Sequence, residues 1–73
     1  MKNFKIEIEH LTKDELIDKM EELGSEATSY GFFQEVSSCD KEILEYEKGI
    51  TLNHKKIEVC EKAIMLILEK EDI

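Results

Sequence analysis

The chain of 73 residues lacks arginine, proline and tryptophan and has only two cysteines. Arginine supplies the planar fork that binds phosphate and guanine at two points, so its absence disfavours nucleic-acid recognition. Ten lysines stand against eighteen acidic residues, and the resulting formal charge of -8 repels phosphate backbones and anionic membrane surfaces. Direct binding to DNA, RNA or a membrane surface is therefore the least expected activity.

Two cysteines are too few for the disulfide framework of a small secreted domain. A chain this short also buries only about 60% of the surface that its unfolded form exposes. Small domains therefore depend on disulfides, a metal or oligomerisation for their stability. We expect one small helical domain spanning residues 1–73 that shares its core in a homodimer or a larger homo-oligomer.

Long apolar segments are also missing. The longest apolar run, residues 63–68, is far shorter than the about 20 residues that a membrane-spanning helix needs. Residues 1–11 carry charges at nearly every second position, unlike the apolar centre of a signal peptide. These features predict a soluble, cytoplasmic protein that makes no contact with a membrane.

Residues 3–9 alternate between polar or charged and apolar side chains, with Phe4, Ile6 and Ile8 on one side. A period of two that includes β-branched residues predicts a half-buried strand. A lone strand must find partners for its backbone amides and carbonyls. We therefore expect these three residues to belong to a strand that pairs with a second copy or with a partner's sheet edge.

A helix start follows directly. Thr12 and Glu15 have the spacing of a capping box, in which each side chain accepts a hydrogen bond from the other residue's amide. The sequence therefore predicts a helix over 13–23. Gly24 is the expected C-terminal stop, followed by a polar connection over 25–31.

From Phe32 onward, residues recur at alternating spacings of four and three over about five heptads. This pattern predicts helices that pack along one row, called here the heptad stripe. The stripe consists of Phe32, Val36, Cys39, Ile43, Tyr46, Ile50, Asn53, Ile57, Cys60, Ile64 and Ile67. Its members expected to form the core or the oligomer contact are Phe32, Val36, Ile43, Tyr46, Ile57, Ile64 and Ile67.

Two arrangements fit the heptad stripe. In the favoured one, the chain breaks at Gly49 into helices over 32–48 and 52–70, which fold into a hairpin with Cys39 opposite Cys60. In the alternative, one long coiled-coil helix continues through the glycine and pairs with another chain. The predicted fold is thus mainly α, with a short N-terminal strand, a short helix and then a helical hairpin, assembled as a dimer or larger.

Catalytic, metal-binding and cofactor-binding motifs are missing from the sequence. It has no Cys-x-x-Cys or His-x-x-x-His pair to begin a zinc site and no glycine-rich phosphate loop. Both cysteines lie among isoleucines on the heptad stripe, where a thiol usually packs as a small hydrophobe. We therefore predict no catalytic residue, no metal and no cofactor, and a non-enzymatic role.

One short stretch has a partial resemblance to a known family. Residues 40–46, Asp-Lys-Glu-Ile-Leu-Glu-Tyr, resemble part of the second helix of the small sporulation-type aspartyl-phosphate phosphatases, which pair two helices. Those proteins carry a Ser-Gln-Glu-Leu-Asp signature, whereas residues 36–40 are Val-Ser-Ser-Cys-Asp, so that only Asp40 matches. The resemblance covers less than a third of the chain and assigns no activity to it.

Acidity is the remaining feature that could carry a function. The carboxylates predicted to form an interaction surface are Glu35, Asp40, Glu42, Glu45 and Glu47 on the second helix, and the first helix adds Asp18, Glu21 and Glu22 to the negative surface. Such a surface suits a protein partner with a basic groove and would compete with nucleic acid for it. We therefore expect a small acidic protein-binding module, similar in size and charge to phage inhibitors of host defence or nucleic-acid-processing proteins.

Two other functions fit the same sequence. The chain could serve as a structural or regulatory coiled-coil dimer whose acidity only keeps it soluble. It could also form an oligomer that sequesters a small ligand in pockets between its subunits.

Overall fold

The computed structural model describes residues 1–71, which form three α-helices and no strand. Helix α1 spans Lys2–Ile8, α2 spans Lys13–Val36 and α3 spans Asp40–Glu71. Helices α2 and α3 run antiparallel as a long hairpin, and α1 packs on one side of it. The chain is therefore mainly helical, as predicted, with a helical hairpin as its main feature.

Residues 3–9 belong to helix α1, so the predicted strand is wrong. Phe4 and Ile8 are both buried, and a spacing of four places them on one face of a helix as well as on one face of a strand. Ile6 points elsewhere and is 53% exposed. The strand-pairing role predicted for these three residues is lost, because Phe4 and Ile8 pack into this chain's own core.

The capping box is confirmed and fixes the start of α2 at Lys13. Thr12 Oγ1 accepts a hydrogen bond from the amide of Glu15 at 3.2 Å, and Glu15 Oε1 accepts one from the amide of Thr12 at 3.0 Å. The predicted end before Gly24 is wrong, because α2 continues to Val36. No glycine in residues 1–71 has a positive φ, so none forms a left-handed helix cap.

The hairpin turn lies at residues 37–39 and not at Gly49. Ser37 Oγ accepts a hydrogen bond from the amide of Cys39 at 3.3 Å and donates one to Glu42 Oε2 at 2.9 Å. These bonds stabilise the short connection between the two helices. Helix α3 passes through Gly49 without a break, as in the long-helix alternative, but it begins at Asp40 and folds back on α2.

The displaced turn also separates the two cysteines. Cys39 is exposed beside the turn, and Cys60 is fully buried in the core. At 1.5 Å per residue they lie roughly 31 Å apart along the chain's longest helix. The prediction that the hairpin brings them opposite each other is therefore wrong.

The core lies at the end of the hairpin that α1 covers. Leu16 and Leu23 of α2 meet Cys60 of α3 there, together with the two buried residues of α1. Of the heptad stripe, Ile57, Ile64 and Ile67 pack against this core, whereas Ile43 and Tyr46 are half-buried nearer the turn. Phe32 and Val36 do not belong to the core of the single chain, because they lie on the outer side of α2 with 61% and 64% of their surface exposed, and an oligomer contact at these residues stays a prediction.

One buried polar residue connects the two long helices. Asn53 of α3 is 4% exposed, and its Nδ2 donates a hydrogen bond to the carbonyl oxygen of Leu23 at 3.2 Å. A polar residue in an apolar stripe costs free energy unless it is hydrogen-bonded, and it restricts the helices to one register. Asn53 therefore fixes the alignment of α3 against α2.

Candidate interaction surfaces

Side chains that could act as nucleophiles or metal ligands are dispersed over the structure. Residues 1–71 contain no cluster of three or more His, Cys, Asp and Glu side chains that could hold a metal ion. Burial raises the pKa of the Cys60 thiol, and the positive charge of Lys19 opposes this only in part. A buried thiol with a raised pKa is a weak nucleophile, so Cys60 acts as a packing residue of the core.

The five predicted interaction residues are all exposed, but they do not share one face. Glu35 lies at the end of α2, and Asp40 opens α3. Glu45 and Glu47 are two residues apart in α3 and therefore project about 160° from each other. The structure places the five carboxylates around the turn end of the hairpin, so they form a dispersed negative region.

A denser group of carboxylates lies on α2. This helix has two lysines and seven carboxylates, a net charge of -5, whereas α3 has six lysines and eight carboxylates. Five carboxylates project away from α3 within an arc of about 120° and are exposed. We call them the acidic face, and they are Asp14, Glu15, Asp18, Glu21 and Glu22.

Asp18 stands at the centre of the acidic face. The residues three and four positions before and after it are all carboxylates, and such positions are neighbours on a helix surface. Within residues 1–71, the only ion pair joins Lys19 Nζ to Glu7 Oε1 at 3.7 Å, so no lysine neutralises Asp18. The carboxylates of the acidic face therefore repel one another, and no ion pair within the described residues offsets this repulsion at Asp18.

Sequence reasoning includes Asp18, Glu21 and Glu22 in the negative surface but assigns the interaction residues to the predicted second helix. The signal that would have centred the surface on α2 is local. Counting charges at spacings of three and four, instead of over half of the chain, singles out Asp18 as the residue surrounded by like charge.

An apolar groove lies between the end of α1 and the C-terminal half of α3. Its volume is about 420 Å³, and Ile8, Leu16, Val59 and Leu66 contribute apolar walls. Side chains of three lysines also line it, namely Lys5, Lys62 and Lys70. The groove is open along one side and lies within one chain.

No helix within residues 1–71 combines the length and apolar character needed to cross a membrane.

Comparison with known proteins returns no relative: no protein-family model, curated protein or solved structure matches this chain.

Proposed function

We propose that the protein is a non-enzymatic protein-binding module whose acidic face docks on a basic surface of another protein. The observation that carries this proposal is the position of Asp18, which has a carboxylate at each of its four helical neighbour positions. Like charges at these spacings destabilise a helix. A lysine at position 18 would remove that cost, so stability alone does not account for the carboxylate at the centre of the acidic face.

A basic partner would relieve the repulsion that the folded chain keeps. Bringing lysine or arginine side chains to the acidic face turns several unfavourable charge pairs into favourable ones, and the field of the free protein steers a positive partner toward it. The dispersed acids at the turn end, which include Glu45 and Glu47, extend the same negative field. A groove that normally holds nucleic acid offers this complementary charge.

In this role the protein would occupy such a groove and exclude nucleic acid, as an inhibitor of a nucleic-acid-processing or defence protein does. The structural-dimer alternative predicts that the position of the removed negative charges does not matter. If acidity only keeps the chain soluble, neutralising any three exposed carboxylates should have the same small effect.

The experiment compares two variants that differ only in where charge is removed. The face variant carries Asp14→Asn, Asp18→Asn and Glu22→Gln, and the turn variant carries Glu35→Gln, Glu45→Gln and Glu47→Gln. Each loses three negative charges. Immobilised wild type and variants are exposed to the heparin-binding protein fraction of the source cells, which contains basic, nucleic-acid-binding proteins.

Wild type and turn variant should retain the same basic protein, and the face variant should lose it. Binding should weaken steeply with salt, and double-stranded DNA should compete for the captured protein. Equal retention by the face and turn variants, or capture that salt and DNA do not affect, would show that the acidic face is not the binding surface. Circular dichroism checks that both variants keep the helical fold.

A further inference from the structure

One long side of the hairpin is not covered by α1. Helix α1 lies on the side where Lys56 Nζ is 5.4 Å from the centroid of the Phe4 ring and where Lys19 pairs with Glu7. The opposite side of the α2/α3 pair, which we call the open side, carries no third helix within residues 1–71. This side is separate from the acidic face, which projects away from α3.

Helix α2 presents an uncharged row to the open side. At about 100° per residue, the positions that project there recur at spacings of three and four. They are Ile17, Met20, Gly24, Ala27, Gly31 and Gln34. Nine of the 24 residues of α2 are charged, yet none of these six is. Six of the seven carboxylates of the helix lie on the rest of its circumference. Glu35, five full turns after Ile17, is aligned with the row at its C-terminal end, and Lys13 is aligned with it at its N-terminal end.

Helix α3 borders this row with apolar side chains. Isoleucines spaced by seven follow the edge of α3 that meets α2 on the open side, and each is only half-buried. They are Ile43, Ile50, Ile57 and Ile64. Met65 and Leu68 extend the apolar strip toward the C-terminus with 60% and 42% of their surface exposed. The open side is therefore a long, shallow, mostly apolar surface, with Lys13 and Glu35 at the two ends of its α2 edge and Glu61 between Ile57 and Ile64 on its α3 edge.

The glycines on the open side have no explanation within the chain. A Cβ atom added at Gly24 or Gly31 would meet no other atom within 4 Å, apart from its own helical surroundings. Glycine is disfavoured in helices relative to alanine. Gly24 and Gly31 therefore destabilise α2, and no packing contact within the chain requires a glycine at either position. Glycine does permit another backbone to approach closely. A partner helix that crosses α2 here would account for both residues.

The exposed area indicates how large that partner contact should be. The chain exposes 5637 Å², whereas a compact monomer of 8.5 kDa exposes about 4,700 Å². The excess of roughly 900 Å² is close to the about 800 Å² that each partner buries in an interface of standard size.

The shape of the chain leads to the same conclusion. Its extents are 53 × 20 × 14 Å, so the chain is elongated, and α1 adds a third helix only at one end of the hairpin. Stable domains are built from at least two packed layers. Over most of its length this hairpin is a single layer, and a second hairpin would supply the missing one.

We propose that the open side is a homodimer interface, where a second copy packs its own open side across Gly24 and Gly31 to form a four-helix bundle. The uncharged rows then lie inside the bundle. The acidic faces of both copies remain outside, where water solvates them and a partner can still reach them. The dimer therefore does not depend on the proposed function, and a failure of one leaves the other standing.

The test measures the molar mass of the full chain by sedimentation equilibrium at micromolar concentration. Wild type should sediment with twice the 8.5 kDa of one chain. Gly24→Glu buries an unpaired carboxylate in the interface and should raise the dissociation constant by about 100-fold or more. The matched control is Ser25→Glu, which adds the same charge one residue later on the outer side of α2 and should leave the dimer intact.

A second measurement keeps the proposal testable if Gly24→Glu fails to fold. In a Cys39→Ser background, the thiol introduced by Gly24→Cys should be alkylated more slowly as protein concentration rises, whereas that of Ser25→Cys should not change. A folded wild type that is monomeric at these concentrations would overturn the proposal. Equal effects of the two glutamate variants, or alkylation of Gly24→Cys that does not depend on concentration, would overturn it as well.

Discussion

The ring of Tyr30 lies so close to Gly49 that a Cβ atom there would be 2.9 Å from its Cε2. Tyr30 is held in place by the ring of Tyr46, with the two centroids 6.0 Å apart, and its hydroxyl donates a hydrogen bond to Glu26 at 2.6 Å. The glycine in the middle of α3 is therefore explained by packing. It lets α2 and α3 approach each other between the core and the turn.

Gly49→Ala should lower the free energy of unfolding by about 1 kcal/mol or more, because the Tyr30 ring must move to admit the methyl group. In a Tyr30→Leu background the same change should be stabilising, since alanine is the better helix former by about 1 kcal/mol. A double-mutant cycle of urea denaturation measures the difference. Equal effects of Gly49→Ala in the two backgrounds would mean that the ring does not constrain this position.

Asn53→Ala should lower the free energy of unfolding by about 1–3 kcal/mol, because it removes the buried hydrogen bond to the Leu23 carbonyl and leaves a gap beside it. Asn53→Leu should restore stability but relax the register of the two helices, as apolar replacements of buried polar residues can do. Denaturation measures the first effect, and amide exchange or NMR line shapes measure the second. An Asn53→Ala variant as stable as wild type would contradict the structural role.

Thr12→Ala should lower the free energy of unfolding by about 1 kcal/mol, because the amide of Glu15 loses its capping partner. A thermal melt monitored by circular dichroism at neutral pH measures the loss. Thr28→Ala is a suitable control, since the Thr28 hydroxyl only donates to the Gly24 carbonyl within the helix. Equal effects of the two substitutions would argue against the cap.

The cap should also depend on pH. Hydrogen bonds from the backbone amide and then the side chain of Thr12 hold the pKa of Glu15 below its ordinary value of 4.5. A carboxyl group whose pKa is lower in the folded than in the unfolded state stabilises the fold. This stabilisation is complete when the pH is above the ordinary pKa, and it is lost as the pH falls through the lowered pKa of the folded state. Glu15→Gln should remove that part of the acid transition, which NMR titration of the Glu15 carboxyl can follow directly.

The two thiols should differ sharply in reactivity. Cys39 is exposed and should react with a thiol reagent in the native state, whereas Cys60 is buried, has a raised pKa and should react only on unfolding. Mild oxidation should give no intrachain bond between them. Mass spectrometry of alkylated native protein distinguishes single from double modification, and an intrachain Cys39–Cys60 disulfide in folded protein would contradict this fold.

Asp18→Lys should raise the free energy of unfolding by about 1 kcal/mol, because four repulsive helical pairs become attractive. Glu58→Lys is the matched control. It makes the same change in total charge but places a lysine next to Lys55 and Lys62 in α3, so it should not stabilise. The gain at position 18 should shrink in high salt. A stabilisation that salt does not affect would have to come from helix propensity instead.

Residues with strong local signals were the ones that could be predicted. Thr12 and Glu15 form the expected capping box because both partners lie within one helical turn, so no distant contact is needed to set their geometry. The four-and-three spacing of the heptad stripe likewise predicted which residues of α3 pack against α2 near the core. The capping box and the heptad stripe together indicated a mainly helical chain.

Tertiary contacts decided the rest. Phe4 and Ile8 fit a strand or a helix equally well by spacing, and packing against the hairpin makes their segment helical. Gly49 looks like a helix end by propensity, but the Tyr30 ring requires a glycine there within a continuous helix. The sequence by itself determined where α2 starts and which stripe of α3 is apolar. Only the tertiary structure decided where the chain turns, because a glycine's small helix penalty is outweighed by the contacts of a whole hairpin.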